Sequence, residues 1–89
     1  MDQTLVDRVA ELCASVMAIP TPQPDDDLVA SGHLDSLALV ELLFEIEQKL
    51  DVSPALDELD LDSLRTPRSI ADLVARWRGE LPTGAEGAA

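Results

Sequence analysis

At 89 residues, with a single cysteine and a formal net charge of -12, the chain has room for one small domain, cannot form an internal disulfide and is a poor match for nucleic acid. Asp2, Asp7, Arg8 and Glu11 break any apolar run of signal-peptide type, and no stretch approaches the ~20 apolar residues of a membrane span, so a cytoplasmic protein without stable membrane insertion is expected. The charge is concentrated: from Gln23 to Ser63, twelve acids face the single base Lys49, a net of -11. Such a segment suits basic partner proteins, the plain alternative being a solvated acidic face.

Residues 2 to 18 predict a first helix, with Leu5, Val9, Leu12 and Val16 on one stripe flanked by Val6, Cys13 and Met17. On that stripe Cys13 reads as a small buried hydrophobe rather than a reactive thiol. The helix stops before Pro20. Pro20, Pro22 and Pro24 forbid regular structure, Asp25 to Asp27 begin a long connection, and Leu28 and Val29 are expected to anchor it to the core. A loop of that length in so small a domain is usually functional.

A second helix is predicted from Ser36 to about Leu50, because neither Gly nor Pro interrupts the chain before Pro54. At 100° per residue, Leu39, Leu42, Leu43, Ile46 and Leu50 gather on the core side, while Leu37 and Phe44 lie nearly opposite, beside Glu41 and Gln48. A surface helix needs one buried stripe, so the second suggests a docking face, unless Phe44 folds under a loop. Residues 51 to 66 read as turns, broken by Pro54 and anchored by Leu56, Leu59, Leu61 and Leu64, with a helical turn near Asp62 to Arg65. Thr66 suits an N-cap with Pro67 at the first helical position, and Ile70, Leu73, Val74 and Trp77 follow the spacing of a third helix ending at Gly79. Trp77 is expected at the core edge. The expected architecture is an all-α bundle of three main helices, a short helical turn and a long first loop, spanning residues 1–79, followed by a loose tail over 80–89.

The tetrapeptide Leu34-Asp35-Ser36-Leu37 recurs as Leu61-Asp62-Ser63-Leu64. The first copy opens a long helix; the second meets Pro67 within four residues and can open only a turn. A helix N-terminus stabilises an anion with its unpaired N–H groups and partial positive charge, so a phosphodiester on Ser36 would be well placed. The bland reading is that Asp35 or Ser36 merely caps the helix. Enzymatic use of Ser36 lacks support, since the only histidine, His33, lies three residues away with no orienting partner evident, and Cys13 with His33 makes no better pair. His33 is expected to be an exposed loop residue. The acids at 25–27 and at Asp57, Glu58, Asp60 and Asp62 lack EF-hand spacing, so no metal site is expected.

Three helices, the extended first loop, the acidic second helix and the Gly32-His33-Leu34-Asp35-Ser36-Leu37 junction together resemble an acyl carrier protein over about residues 4 to 77. The junction and the Thr66-Pro67 start with Ile70 are most similar to freestanding D-alanyl and related aminoacyl carriers. Fatty acid carriers are one residue shorter between Gly and Asp, and peptidyl carrier domains more often read Gly-Gly-x-Ser. The resemblance implies that Ser36 carries 4'-phosphopantetheine, attached from coenzyme A by a phosphopantetheinyl transferase that recognises Asp35, and that the protein itself is no enzyme. It implies partner contacts at Leu37, Val40, Glu41 and Phe44 with an adenylating ligase or acyltransferase and with a downstream enzyme that accepts the acyl or aminoacyl group, the carrier acting as a monomer. A five-to-one excess of Arg over Lys, with frequent Ala, hints at a GC-rich bacterial gene and a natural-product setting. A fatty acid or polyketide carrier, a D-alanyl carrier and a cofactor-free acidic adaptor are the alternatives.

Overall fold

The computed structural model describes residues 4–55, 57 and 59–79. Their order is α1 (Leu5–Met17), α2 (Ser36–Leu50), a 3₁₀ turn (Asp62–Leu64) and α3 (Pro67–Trp77). Each helix starts on a side-chain cap. Thr4 Oγ1 accepts the Asp7 N–H at 3.1 Å, and Asp35 Oδ1 accepts the Ala38 N–H at 2.8 Å. At α3 the cap is reciprocal: Thr66 Oγ1 accepts the Ser69 N–H at 3.0 Å and Ser69 Oγ accepts the Thr66 N–H at 3.1 Å, with Pro67 preset for the first turn. Helices α1 and α2 end on residues in the left-handed region, Ala18 and Asp51, and the turn after α3 on Gly79, where φ is +80°.

The helix α1 packs on both α2 and α3, and the 3₁₀ turn packs on α3. Between them lies a core of Val9 and Cys13 from α1, Leu42, Ile46 and Leu50 from α2, and Ile70, Ala71, Leu73 and Val74 from α3, closed by Leu28, Val52 and Leu64. The inner face of α1 is therefore centred on Val9 and Cys13, with Leu5, Leu12 and Val16 on its margins. Leu43, expected in the core, is half-buried beside the surface groove flanking α2. In the first loop Leu28 is the deep anchor and Pro22 is also buried, whereas Val29 is only half-buried. Leu61, expected as an anchor, is 55% exposed; a single 3₁₀ turn offers few inward positions, and Leu64 takes the core one. Leu56 and the expected tail over 80–89 lie outside the described residues. No helix among the described residues is long and apolar enough to cross a membrane.

Candidate functional site

Ser36 is the first residue of α2, directly after the cap residue Asp35. The capping carboxylate belongs to Asp35 rather than to the serine: it holds the Ala38 N–H, while the Asp35 carbonyl accepts the Leu39 N–H at 2.9 Å. The N–H groups of Ser36 and Leu37 have no acceptor one turn back and remain at the positive end of the helix. Ser36 is exposed, and its hydroxyl is engaged by no partner among the described residues. The bland reading is thus half right, since the cap exists but leaves the serine unused. A phosphodiester fits this arrangement, with an accessible oxygen to bear it and open amides beside it.

The second Asp-Ser-Leu copy is built differently. Asp60 Oδ1 accepts the Ser63 N–H at 2.8 Å, and this bond, followed by one from the Ser63 hydroxyl, holds the Asp60 carboxyl below its usual range. Asp62 reaches Arg65 Nε at 3.3 Å. Ser63 is half-buried inside a turn, with amide and hydroxyl both spoken for.

Beyond Ser36, α2 presents an apolar outer face. Leu37 is 68% exposed, Val40 64% and Phe44 58%, so Phe44 is not folded under a loop. Phe44 and Val40 form a ridge between two depressions. One is lined by Leu43, Glu47, Ser53 and Pro54, the other by Ser15, Val16, Glu41 and Glu45. Glu41 is exposed at its edge, and Glu45 pairs with Lys49 at 3.5 Å. His33 is exposed, as expected.

Arginines that the sequence leaves inconspicuous hold the approach to Ser36. Arg65 Nη1 lies 3.1 Å from Asp27 Oδ2, and Arg68 Nε lies 2.9 Å from Asp25 Oδ1. The Arg68 hydrogen bond foremost draws the Asp25 carboxyl below its usual range. For Asp27 the Ala30 N–H contributes most, followed by the Arg65 charge. These acids therefore serve structure, and no group of three or more potential metal ligands occurs among the described residues. Cys13 is fully buried, and loss of solvation pushes its thiol up to about 12.

The chain resembles known proteins over most of its length. The model of the phosphopantetheine attachment site family matches residues 7–74. The D-alanyl carrier protein of Bacillus subtilis is 36% identical over 76 residues, which cover 85% of this chain and 95% of that protein. That of Leuconostoc mesenteroides is 31% identical over 74% of this chain and 86% of its own length. The D-alanyl carrier protein of Bacillus velezensis is 33% identical, covering 79% of this chain and 87% of its own length. The chain therefore belongs to the acyl carrier family defined by the phosphopantetheine attachment site, as a non-catalytic carrier whose prosthetic group is 4'-phosphopantetheine.

Proposed function

We propose that Ser36 bears the 4'-phosphopantetheine and that the protein carries an aminoacyl group, D-alanyl foremost. The observation that carries the site assignment is the contrast between the two Asp-Ser-Leu copies. Ser36 offers an exposed hydroxyl, free among the described residues, at the mouth of a fifteen-residue helix, while Ser63 is tied to Asp60. In the transfer, the Ser36 hydroxyl oxygen bonds to the phosphorus that bears the pantetheine arm of coenzyme A. The adenosine 3',5'-bisphosphate leaves, and the hydroxyl proton passes to a base of the transferase. The bound group supplies a terminal thiol on which a carboxylic acid is held as a thioester. Asp35 holds the first turn of α2 and adds a carboxylate for the transferase to recognise.

The cargo assignment follows the relatives, which are D-alanyl carrier proteins over most of their length. They favour D-alanyl over the natural-product setting, which drew on the arginine excess and gene composition alone. The partners are then a phosphopantetheinyl transferase, an adenylating ligase and an acceptor enzyme, each meeting the ridge of Leu37, Val40, Glu41 and Phe44 with an apolar surface rimmed by basic residues. The carrier domain spans residues 1–79.

Incubation with coenzyme A and a broad-specificity transferase tests the site. One phosphopantetheine mass should appear on the wild type and on Ser63→Ala and be absent from Ser36→Ala; an unmodified wild type would favour the cofactor-free adaptor. Incubation of the modified protein with ATP, D-alanine and the ligase of a D-alanyl carrier system should then add one hydroxylamine-labile alanyl group. Failure with D-alanine alongside success with another amino or acyl donor would reassign the cargo while keeping the site.

A further inference from the structure

The loop that delivers Ser36 is fastened to the segment opening α3 by two backbone bonds, each backed by an ion pair. The Leu28 N–H donates to the Arg65 carbonyl at 2.6 Å, and the Arg68 N–H donates to the Pro24 carbonyl at 2.9 Å. Beside the first, the Arg65 guanidinium meets Asp27. Beside the second, Arg68 forks onto Asp25, Nε to Oδ1 at 2.9 Å and Nη2 to Oδ2 at 3.2 Å. Asp27 is turned for its role by the loop itself, since its Oδ1 accepts the Val29 N–H at 3.0 Å and the Ala30 N–H at 2.8 Å. The path continues to the site: the Leu28 carbonyl accepts the Leu34 N–H at 3.0 Å, and Leu34 adjoins the cap Asp35.

We infer that Arg65 and Arg68 are positioning residues for Ser36, setting how well the carrier is used as a substrate by the phosphopantetheinyl transferase; this rests on Ser36 being the attachment residue. Exposed ion pairs add little to global stability, so these two are poor candidates for general staples. Their place gives them a local effect. A surface loop opens at far lower cost than a core helix, and a loop that must be ordered on docking subtracts that cost from affinity. Two clasps, one at Asp25 and one at Asp27, keep residues 24–35 ordered before the transferase arrives. Arg68 also sits in the first turn of α3, where the helix dipole disfavours a cation; its partner across the loop offsets that.

Initial rates of modification with coenzyme A and a broad-specificity transferase test this, on the full chain. The double variant Arg65→Ala with Arg68→Ala should raise KM for the carrier about tenfold at nearly constant kcat. The amides of Leu28 and Leu34 should exchange with solvent faster, while those of α1 and of the middle of α2 are unchanged. Arg68→Asp should lose rate, and the swapped pair Asp25→Arg with Arg68→Asp should recover most of it. Arg8→Asp, which changes the charge by two as the double variant does but near the far end of α2, where Arg8 meets the Lys49 carbonyl, should leave the rate unaltered. Wild-type kinetics in the double variant, an equal loss in Arg8→Asp, or a loss that tracks global melting without rescue by the swapped pair would each overturn the inference. A wild type that is not modified at all would instead overturn the site assignment on which it rests.

Discussion

The Asp35 carboxylate sits 2.8 Å from the Ala38 N–H, so the acid next to Ser36 has a structural role whatever recognises it. Asp35→Ala should cost about 1 kcal/mol, seen as a fall in Tm of about 4–8 °C for a domain of this size. Asp35→Asn keeps an equally good cap but removes the charge. Its Tm should stay near wild type while phosphopantetheine attachment slows. An unchanged rate would leave Asp35 as a cap alone.

Leu42 and Phe44 lie two positions apart on α2 and should behave oppositely. Leu42 is fully buried, and Leu42→Ala should destabilise by about 2–5 kcal/mol through lost contacts and a cavity. Phe44→Ala should stay within about 0.5 kcal/mol of wild type in thermal melting, while loading by the cognate ligase slows. A large loss of stability in Phe44→Ala would count against a docking role.

The capping box of α3 is testable alone. Thr66→Ala removes the acceptor for the Ser69 N–H and should lower stability by about 1 kcal/mol. Thr66→Ser should restore it, with denaturant midpoints as the measurement.

Cys13 predicts chemical silence. With the thiol buried and pushed up to about 12, almost none is thiolate at pH 8, so iodoacetamide should label the folded protein slowly and the urea-unfolded protein quickly. The same burial keeps the protein's own sulfur from attacking a thioester carried on a neighbouring molecule. Fast labelling under native conditions would contradict the packing of α1.

Asp25, Asp27 and Asp60 all have carboxyls drawn below the ordinary aspartate range. Depressed folded-state values mean that their stabilisation is fully present above the unfolded value and is lost as pH falls through the folded one. The loop clasps should therefore hold at neutral pH and release below about pH 4. Carboxyl NMR titration should place Asp25 below the ordinary aspartate range in the wild type and shift it back toward that range in Arg68→Ala. Overlapping titrations would show that the ion pair does not form in solution.

What the residues disclose in advance follows from how local each signal is. The starts of α2 and α3 are written within a few positions, in Asp35-Ser36 and in Thr66-Pro67, and the structure matches both. The exposure of Leu37 and Phe44 follows from helical periodicity, because fifteen unbroken residues leave little choice of face. The side chain of Leu61 has no such guide; one 3₁₀ turn is too short to set a period, and packing on α3 decides between Leu61 and Leu64. The centre of the α1 face lies at Val9 and Cys13 because two helices press on it, which a single stripe cannot register. The clasps join residues 38 and 43 positions apart, and their only local trace is a cation in the first turn of α3.

Trp77 ends α3 at a depression it shares with Leu50, Asp51 and Val52, so it sits by the C-terminal end of α2, roughly 20 Å along that helix from Ser36. It is the only tryptophan, the chain has no tyrosine, and its indole nitrogen is buried without a hydrogen-bond partner among the described residues. Intrinsic fluorescence thus comes from one chromophore seated against the core and distant from Ser36. Its emission maximum should shift to the red on unfolding yet stay constant through attachment and loading, giving an optical readout of fold integrity that chemistry at the other end of the molecule does not disturb.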